Sequence, residues 1–373
     1  MEMVGRMNPD ILNRWLAKLS KRDPKLHQEL EARRQQQVLN EAATEGLGPS
    51  APGSFLETIV REGRPALLVK NDRITLEDTA VDSLSREITD RLMEAHRTIE
   101  PYIPLVGRID VANFAGTAEY LGTGWLIEPD IVVTNRHVAE LIARWDGGTY
   151  RFHAGRFGNP LQVSVNYRRE LGSPGADNDV CEVERVIWIQ PNARAADFAL
   201  LKVARKTDGS RPNRIELADV DPPPGTQVAV IGYPARAPAH VIADQAWMDR
   251  IYGSIYDVTR VAPGLIDDPS DQWSTHDCTT LGGNSGSVVM DLATGRSVGL
   301  HFAGLYMIEN YAVPSSILRR YRRERPWQGG NGSLGRSQPA RQETKPKHSA
   351  GRATSDSQAA SAAAAGAVSI TIR

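Results

Sequence analysis

Cysteine, net charge and long apolar runs are what this chain of 373 residues has least of. Its two cysteines, Cys181 and Cys278, are too few for a disulfide framework, so we expect free thiols and a reducing compartment. No stretch is apolar for long enough to span a bilayer, and the N-terminus lacks the unbroken apolar core of a signal peptide. The sequence therefore predicts a soluble, cytoplasmic protein without a membrane partner.

The charges nearly cancel, since 44 Lys and Arg against 45 Asp and Glu leave a net charge of −1. Without an overall positive field, we expect no nucleic-acid contact by this region. The histidines at 153, 240 and 276 do not have the spacing of metal ligands, so we predict neither a metal nor a cofactor. The 40% hydrophobic and 24% charged content is that of a globular fold.

About a hundred residues precede the β-rich part of the chain. Residues 1–45 are predicted to be helical, because apolar side chains recur there at helical spacing. Residues 46–102 are predicted to be a linker and an extension that packs on the following domain, with a strand, a turn and a second strand over 64–76. A helix with Asp82 as its cap follows, and its apolar face is formed by Leu84, Ile88, Leu92 and Ile99.

Residues 103–325 contain many short β-rich runs separated by turns, which favour a sandwich or barrel. Two such sets, joined by the Pro-rich "KTDGSRPNRIELADVDPPPG", predict two small barrels side by side. Residues 326–373 are rich in Gly, Ser, Gln and Ala, and we predict a disordered tail or linker there.

One serine, Ser285, lies among glycines in "TTLGGNSGSVV", residues 279–289. Glycines at this density indicate a backbone whose dihedrals or close approaches exclude a β-carbon. A serine hydroxyl reacts at neutral pH only with a base within hydrogen-bond reach and an acid that orients the base. His137 ends the apolar run "DIVVTNRH", and Asp197 opens the apolar run "DFALLKV", where a buried carboxylate needs a partner. These residues predict a Ser-His-Asp triad in the chain order His, Asp, Ser.

The motifs resemble those of the trypsin-like (chymotrypsin-fold) serine peptidases: "TNRHV", "DFALLKV" and "GGNSGS" match the histidine, aspartate and serine motifs over about residues 103–325. The resemblance implies an all-β fold of two six-stranded Greek-key β-barrels, here with a helical N-terminal extension and a disordered C-terminal tail. It also implies roles for the side chains. Ser285 is the nucleophile, His137 the general base and Asp197 its orienting acid, with the backbone N–H groups of Gly283 and Ser285 as the oxyanion hole.

Asn284 departs from the animal digestive members of this family, which carry an aspartate there that pairs with a new N-terminus made by zymogen cleavage. Asparagine has no charge for that ion pair, so residues 1–100 need not be an inhibitory propeptide. The "GNSGS" form looks like that of bacterial glutamyl-endopeptidase-like and HtrA-like members. The tail shows no sign of the PDZ domain usual in HtrA-like proteins, which favours the glutamyl-endopeptidase-like group.

His301 lies sixteen residues after Ser285, in a segment that forms one wall of the specificity pocket in this family and pairs with substrate as an added strand. Glutamyl-endopeptidase-like members have a histidine there, Thr280 matches a polar pocket residue of theirs, and Gly304 lies on the same wall. The resemblance thus implies a preference for Glu, Asp or Gln at the cleaved position. Two alternatives stay open: His301 satisfies a buried backbone group, or Asp277 lines the pocket.

The leading hypothesis is a bacterial serine endopeptidase that cleaves protein or peptide substrates with narrow specificity. Because an unrestrained peptidase would harm a cytoplasm, we expect residues 1–100 to gate it through a regulatory protein partner, an effector or the substrate itself; the tail is also compatible with a further domain fused downstream. The second hypothesis is a non-catalytic module that keeps the fold to hold peptides or partners. The presence of all three triad residues argues against it.

Overall fold

The computed structural model describes residues 63–77, 83–156, 158–173, 179–204, 213–239, 241–242, 244–270, 272–305 and 309–328, and four isolated residues before them, 17, 20, 21 and 24. Apart from those four residues, the predicted helical segment 1–45 lies outside the described residues, as do residues 46–62 of the predicted linker, the cap Asp82 and the tail from 329 onward.

A short β-hairpin precedes the barrels. Strand β1 (Leu67–Lys70) and strand β2 (Arg73–Thr75) are joined by Asn71 and Asp72. Both turn residues are left-handed, with φ of 54° and 61°, as a tight two-residue hairpin turn requires. Leu67, Leu68 and Val69 in β1 are fully buried, so the hairpin belongs to the folded body.

Two short helices follow where the sequence predicts one. Helix α1 (Arg86–Glu94) and helix α2 (His96–Ile99) are separated at Ala95, and a 3₁₀ segment over Glu100–Leu105 leads into the barrels. Ile88, Leu92 and Ile99 are buried as expected. The expectation for Leu84 is wrong, since its side chain is 62% exposed; it precedes α1 and therefore does not lie on the helical stripe.

The first barrel is closed and antiparallel, with the strand order β3–β4–β5–β10–β9–β8. Large apolar side chains such as Trp125 and Val133 fill its interior and have no exposed surface. Helix α3 (Arg136–Ile142) and the hairpin of β6 (Ala143–Trp145) and β7 (Tyr150–Phe152) come between its third and fourth strands. The six barrel strands are β3 (Val106–Ala112), β4 (Tyr120–Glu128), β5 (Ile131–Thr134), β8 (Gln162–Asn166), β9 (Val180–Ile189) and β10 (Ala199–Val203).

The second barrel repeats the connectivity of the first. Its order is β11–β12–β13–β16–β15–β14, and β14 pairs back to β11 to close it. In both barrels the order around the wall is first, second, third, sixth, fifth, fourth. Helix α4 (Gln245–Tyr252) lies between its first two strands, and helix α5 (Ser315–Glu324) follows its last strand. The strands are β11 (Gln227–Gly232), β12 (Arg260–Pro269), β13 (Ser274–His276), β14 (Val288–Asp291), β15 (Ser297–Leu305) and β16 (Glu309–Pro314).

The hairpin extends the second barrel. Leu67 pairs with Val261 and Leu68 with Arg260, so β1 is an added antiparallel strand on β12. The predicted all-β fold of two six-stranded barrels is confirmed. Cys181 and Cys278 are both buried and are not joined in a disulfide. Within the described part of the chain, no helix combines the length and the apolarity needed to cross a membrane.

Replacing Leu67 with Ala tests how firmly the hairpin is packed. The side chain is fully buried, so we expect the free energy of unfolding to fall by about 2–5 kcal/mol. Leu76, at the end of the same hairpin, is 48% exposed, and Leu76→Ala should change stability by about 0.5 kcal/mol or less. Denaturant titration of both variants measures the difference, and equal losses would contradict the packing of β1 against the core.

Candidate active site

His137 is placed by the junction of a strand and a helix. The apolar strand β5 ends at Thr134, and α3 begins at Arg136 with Asn135 as its N-cap. The Asn135 side-chain amide donates to the backbone carbonyl of Asp197 at 2.9 Å, which ties this junction to the chain entering β10. The imidazole is therefore carried by two elements of the first barrel.

Ser285 lies in the turn before β14 of the second barrel, and two glycines explain the shape of that turn. Gly283 and Gly286 both have φ of +90°, a conformation that L side chains rarely adopt. A β-carbon on Gly283 would lie 2.4 Å from the carbonyl oxygen of Tyr233, and one on Gly286 would lie 1.9 Å from that of Thr123. The glycine run thus lets the two barrels approach each other at the serine.

The three predicted triad side chains meet across the interface between the barrels. Nδ1 of His137 lies 2.7 Å from Oδ2 of Asp197, and Nε2 lies 2.8 Å from Oγ of Ser285. The carboxylate can only accept, so the imidazole proton is on Nδ1 and Nε2 is free to accept the proton of the serine hydroxyl. This is the tautomer that a general base needs.

Asp197 is held as an anion. Burial alone would raise its pKa, but attraction to His137, the hydrogen bond from the His137 ring and the nearby Arg136 outweigh burial and lower the pKa below its ordinary value. The other carboxylate oxygen accepts from the backbone N–H of His137 at 3.2 Å. The carboxylate therefore fixes both the ring and the first turn of α3.

Thr123 of β4 holds the turn that contains Ser285, residues 283–287, against the first barrel. This turn is called the nucleophile turn below, after the role predicted for Ser285. The Thr123 backbone N–H donates to the carbonyl of Ser285 and its hydroxyl donates to the carbonyl of Gly283, both at 2.8 Å. On the other side of the turn, the N–H of Gly286 donates to the carbonyl of His301 at 2.9 Å. The turn is thus fixed by backbone bonds from both barrels.

Asn284 is buried and satisfied within its own turn. Its amide nitrogen donates to the carbonyl of Leu281 at 3.2 Å, and its Oδ1 accepts from the hydroxyl of Ser287 at 3.1 Å. An uncharged side chain with these two bonds has no need of an ionic partner.

Comparison with known proteins adds independent support. Residues 122–300 match the family model of the trypsin-like peptidase domain. A protein of Lysobacter enzymogenes named "Probable serine protease" is 27% identical over 277 residues, which cover 68% of this chain and 70% of that protein. Together these two findings support a trypsin-like serine peptidase.

Residues 122–300 are thus similar in sequence to a trypsin-like peptidase domain.

Two solved structures similar to this chain are a serine endoprotease and Deg5. The serine endoprotease from Yersinia pestis is 17% identical, with a TM-score of 0.39. The similarity covers 62% of this chain and 65% of the Yersinia chain. Deg5 is 20% identical, with a TM-score of 0.39, and the match covers 64% of this chain and 94% of Deg5.

The polar residues predicted to line the specificity pocket of the peptidase are fully buried. The Thr280 hydroxyl donates to Oδ1 of Asn310 at 2.7 Å, while the Asn310 amide donates to the carbonyl of Cys278. The hydroxyl proton of Thr280 is therefore committed, and its oxygen is left as an acceptor. Gly304 lies on β15 opposite Asn310 of β16, so it shares this wall of the second barrel.

His301 is paired with a second buried histidine. Its Nδ1 lies 3.3 Å from Nε2 of His276, and the rings meet edge to face. Among the described residues, Nε2 of His301 and Nδ1 of His276 have no hydrogen-bond partner. The alternative that the His301 ring satisfies a buried backbone group therefore finds no support in the described contacts. Asp277, the other alternative, is engaged by Arg64 and by the backbone of β12.

Three contributors to this region were missed in the sequence: His276, Asn310 and Thr123. Each has a partner that is distant in the chain, 25, 30 and 160 residues away, and that only the folding of the barrels brings near. No local pattern marks them. Within the described residues, no group of three His, Cys, Asp or Glu side chains is arranged to hold a metal ion.

The buried histidine pair predicts a loss of stability in acid. Burial lowers the pKa of His276 to about 4, against a smaller upward effect of Asp277, and burial followed by repulsion from His276 and His137 lowers the pKa of His301 well below its ordinary value. The unfolded chain takes up these protons first, so stability is full above about pH 6.5 and is lost as the pH falls towards 4.

His276→Gln should remove roughly 3 kcal/mol of this pH dependence, from the shift of the His276 pKa and about 1.4 kcal/mol per pH unit. Urea titrations of both proteins at pH 7.5 and pH 4.5 measure it, and the pH 7.5 values give the packing cost of the substitution by itself. Parallel losses in the two proteins would contradict the prediction.

Proposed function

We propose that the chain is a serine endopeptidase that hydrolyses peptide bonds through Ser285, His137 and Asp197. The observation that carries the proposal is a chain of two hydrogen bonds. One joins Oδ2 of Asp197 and Nδ1 of His137 at 2.7 Å, and the other joins Nε2 of His137 and Oγ of Ser285 at 2.8 Å. Such a relay has no structural purpose in a turn whose backbone is already bonded on both sides. It is the arrangement that turns a serine into a nucleophile.

In the proposed reaction, Oγ of Ser285 attacks the carbonyl carbon of the scissile bond while its proton passes to Nε2 of His137. The carbonyl π electrons move onto oxygen, and the resulting imidazolium is stabilised by Asp197. As the tetrahedral intermediate collapses, the C–N bond breaks and the leaving amine takes the proton from Nε2. Water then repeats the sequence on the acyl-enzyme and restores the free hydroxyl.

The backbone N–H groups of Gly283 and Ser285 are proposed as the oxyanion hole. Two hydrogen bonds support this: the carbonyl of Gly282 accepts from Ala235, and the carbonyl of Asn284 accepts from the N–H of Ser287. In a trans peptide the N–H points opposite to the carbonyl of the same unit. The two N–H groups therefore face away from those partners, and donors of this kind are typically worth about 10²–10³ in rate.

A fluorophosphonate probe tests the proposal directly. We expect the full chain to be labelled and Ser285→Ala not to be, because the probe bonds to the activated hydroxyl. Ser287→Ala is the matched control: this serine lies in the same turn, but its hydroxyl bonds Asn284, so most of the labelling should remain. The assay is run with and without candidate activators. Labelling that persists in Ser285→Ala, or is absent from the wild type under every condition, favours the peptide-binding module instead.

We further propose a preference for Glu, Asp or Gln at the cleaved position, as in glutamyl-endopeptidase-like peptidases. The support is the pair of buried polar atoms on the pocket wall, Nε2 of His301 without a described partner and Oγ1 of Thr280 as an acceptor. An N–H at Nε2 of His301 can donate to a carboxylate or amide oxygen, and Oγ1 of Thr280 can accept from a Gln amide, so a polar side chain is favoured over an apolar one. Because both side chains are fully buried, the entering side chain has to open a space beside them.

Peptides that differ only at the cleaved residue test the preference. We expect kcat/KM for Glu, Asp or Gln to exceed that for Lys or Phe by about tenfold or more, the worth of one hydrogen bond of about 1.4 kcal/mol. His301→Ala should flatten the profile, while His153→Ala on the first barrel should leave it unchanged. A wild-type profile led by Lys, Arg or large apolar residues would rule the preference out.

We propose that the protein acts in the cytoplasm and that the region before the barrels regulates its peptidase activity. The regulator would be a protein partner, an effector or a further domain. The supporting contact is the pairing of β1 with β12, which connects that region to the barrel carrying Ser285. No metal or cofactor is needed for the proposed reaction, and neither nucleic acid nor membrane is expected as a partner.

A further inference from the structure

The hairpin that precedes the barrels makes a second, polar connection just before β1. The guanidinium of Arg64 lies 2.6 Å from Oδ2 of Asp277, and these side chains are 20% and 4% exposed. The backbone carbonyl of Arg64 also accepts a hydrogen bond from the hydroxyl of Thr279 at 2.6 Å. One residue of the extension therefore holds two positions of the segment that leads to the nucleophile.

Asp277 is in turn fixed to the barrel wall. Its Oδ1 accepts from the backbone N–H of Leu265 in β12 at 2.7 Å, and its own N–H donates to the Leu265 carbonyl at 3.1 Å. The Arg64 guanidinium neutralises the remaining oxygen of a carboxylate that is almost completely buried. Without it, the charge would be left partly uncompensated, and the segment would tend to move the carboxylate towards water.

Residues 277–280 form the stretch that the proposed function places at the specificity pocket. Thr280 follows directly on Thr279, and its hydroxyl is bonded to Asn310. The nucleophile turn further along is held separately, by Thr123 and by the carbonyl of His301. A loosened 277–280 stretch would therefore displace the pocket wall and leave the serine and its base in place.

We infer that Arg64 is a positioning residue for substrate recognition: through Asp277 and Thr279 it fixes the pocket wall, so that substrate selection depends on the extension before the barrels. The inference rests on the proposed peptidase function. According to this inference, the segment before β1 contributes to peptide hydrolysis although it is far from Ser285 in the sequence.

The test separates recognition from reactivity in the full-length protein. Kinetics with the best peptide substrate measure recognition, and the labelling rate with diisopropyl fluorophosphate, which is too small to fill a specificity pocket, measures the serine. For Arg64→Gln we expect kcat/KM to fall by about tenfold or more, mainly through a higher KM, with the labelling rate within about threefold of wild type. Arg64→Lys, which keeps the charge, should recover part of the loss.

Lys70→Gln is the matched control. It removes another cation from the same hairpin, but one whose ion pair with Glu77 is exposed on both sides, so both measurements should stay at the wild-type values. Thr279→Val, nearly the same shape without the hydroxyl, should show the same split as Arg64→Gln to a smaller degree, and it decides the question alone if Arg64→Gln does not fold.

Hydrolysis and labelling that fall together in Arg64→Gln, in proportion to lost folded protein, would overturn the inference in favour of a purely structural ion pair. Unchanged hydrolysis in the variants would overturn it as well. A wild-type protein that neither cleaves nor becomes labelled fails the proposed function itself, and the two failures are thus distinguishable.

Discussion

The close contact between the nucleophile turn and the first barrel is the constraint on which the site depends. The contacts of Asp197, His137 and Ser285 span the two barrels, and the hydrogen bond of 2.8 Å between His137 and Ser285 persists only if those barrels cannot move past each other. Thr123 supplies the restraint, because its N–H and hydroxyl both bond carbonyls of the turn. The approach is so close that a β-carbon on Gly286 would overlap the Thr123 carbonyl, which explains why this turn is rich in glycine.

The electrostatics of the site follow from what each buried group can pair with. Asp197 stays ionised because His137 and Arg136 compensate for its burial. Among the described residues, the rings of His276 and His301 hydrogen-bond only to each other, and burial keeps both neutral by lowering their pKa values. A second positive charge close to His137 would disfavour the imidazolium that the proposed reaction forms. Because the two histidines are neutral, a polar pocket wall can lie near His137 without destabilising its protonated form.

The sequence predicts those features that depend on a local pattern of residues. It does not predict contacts that depend on the register between strands distant in the chain. Three motifs in order were enough to predict the two barrels and to name the side chains that meet at the interface. By contrast, the contact of His276 with His301 arises because β13 and β15 both pair with β16, and nothing in either strand indicates that register. The misplacement of Leu84 has a different cause: helical periodicity gives a face but not the residue at which the helix begins.

The uncharged Asn284 and the buried ion pair of Asp277 restrain neighbouring parts of the chain in different ways. A side chain satisfied by Leu281 and Ser287 offers nothing for a distant cation to bind, so the turn itself has no long-range electrostatic restraint. A carboxylate that the second barrel buries, Asp277, lies seven residues earlier, and its partner is an internal side chain, Arg64. An internal side chain needs no cleavage to become available. In this chain, order in the segment before the nucleophile is therefore a property of the folded extension, and anything that displaces β1 from β12 acts on that segment directly.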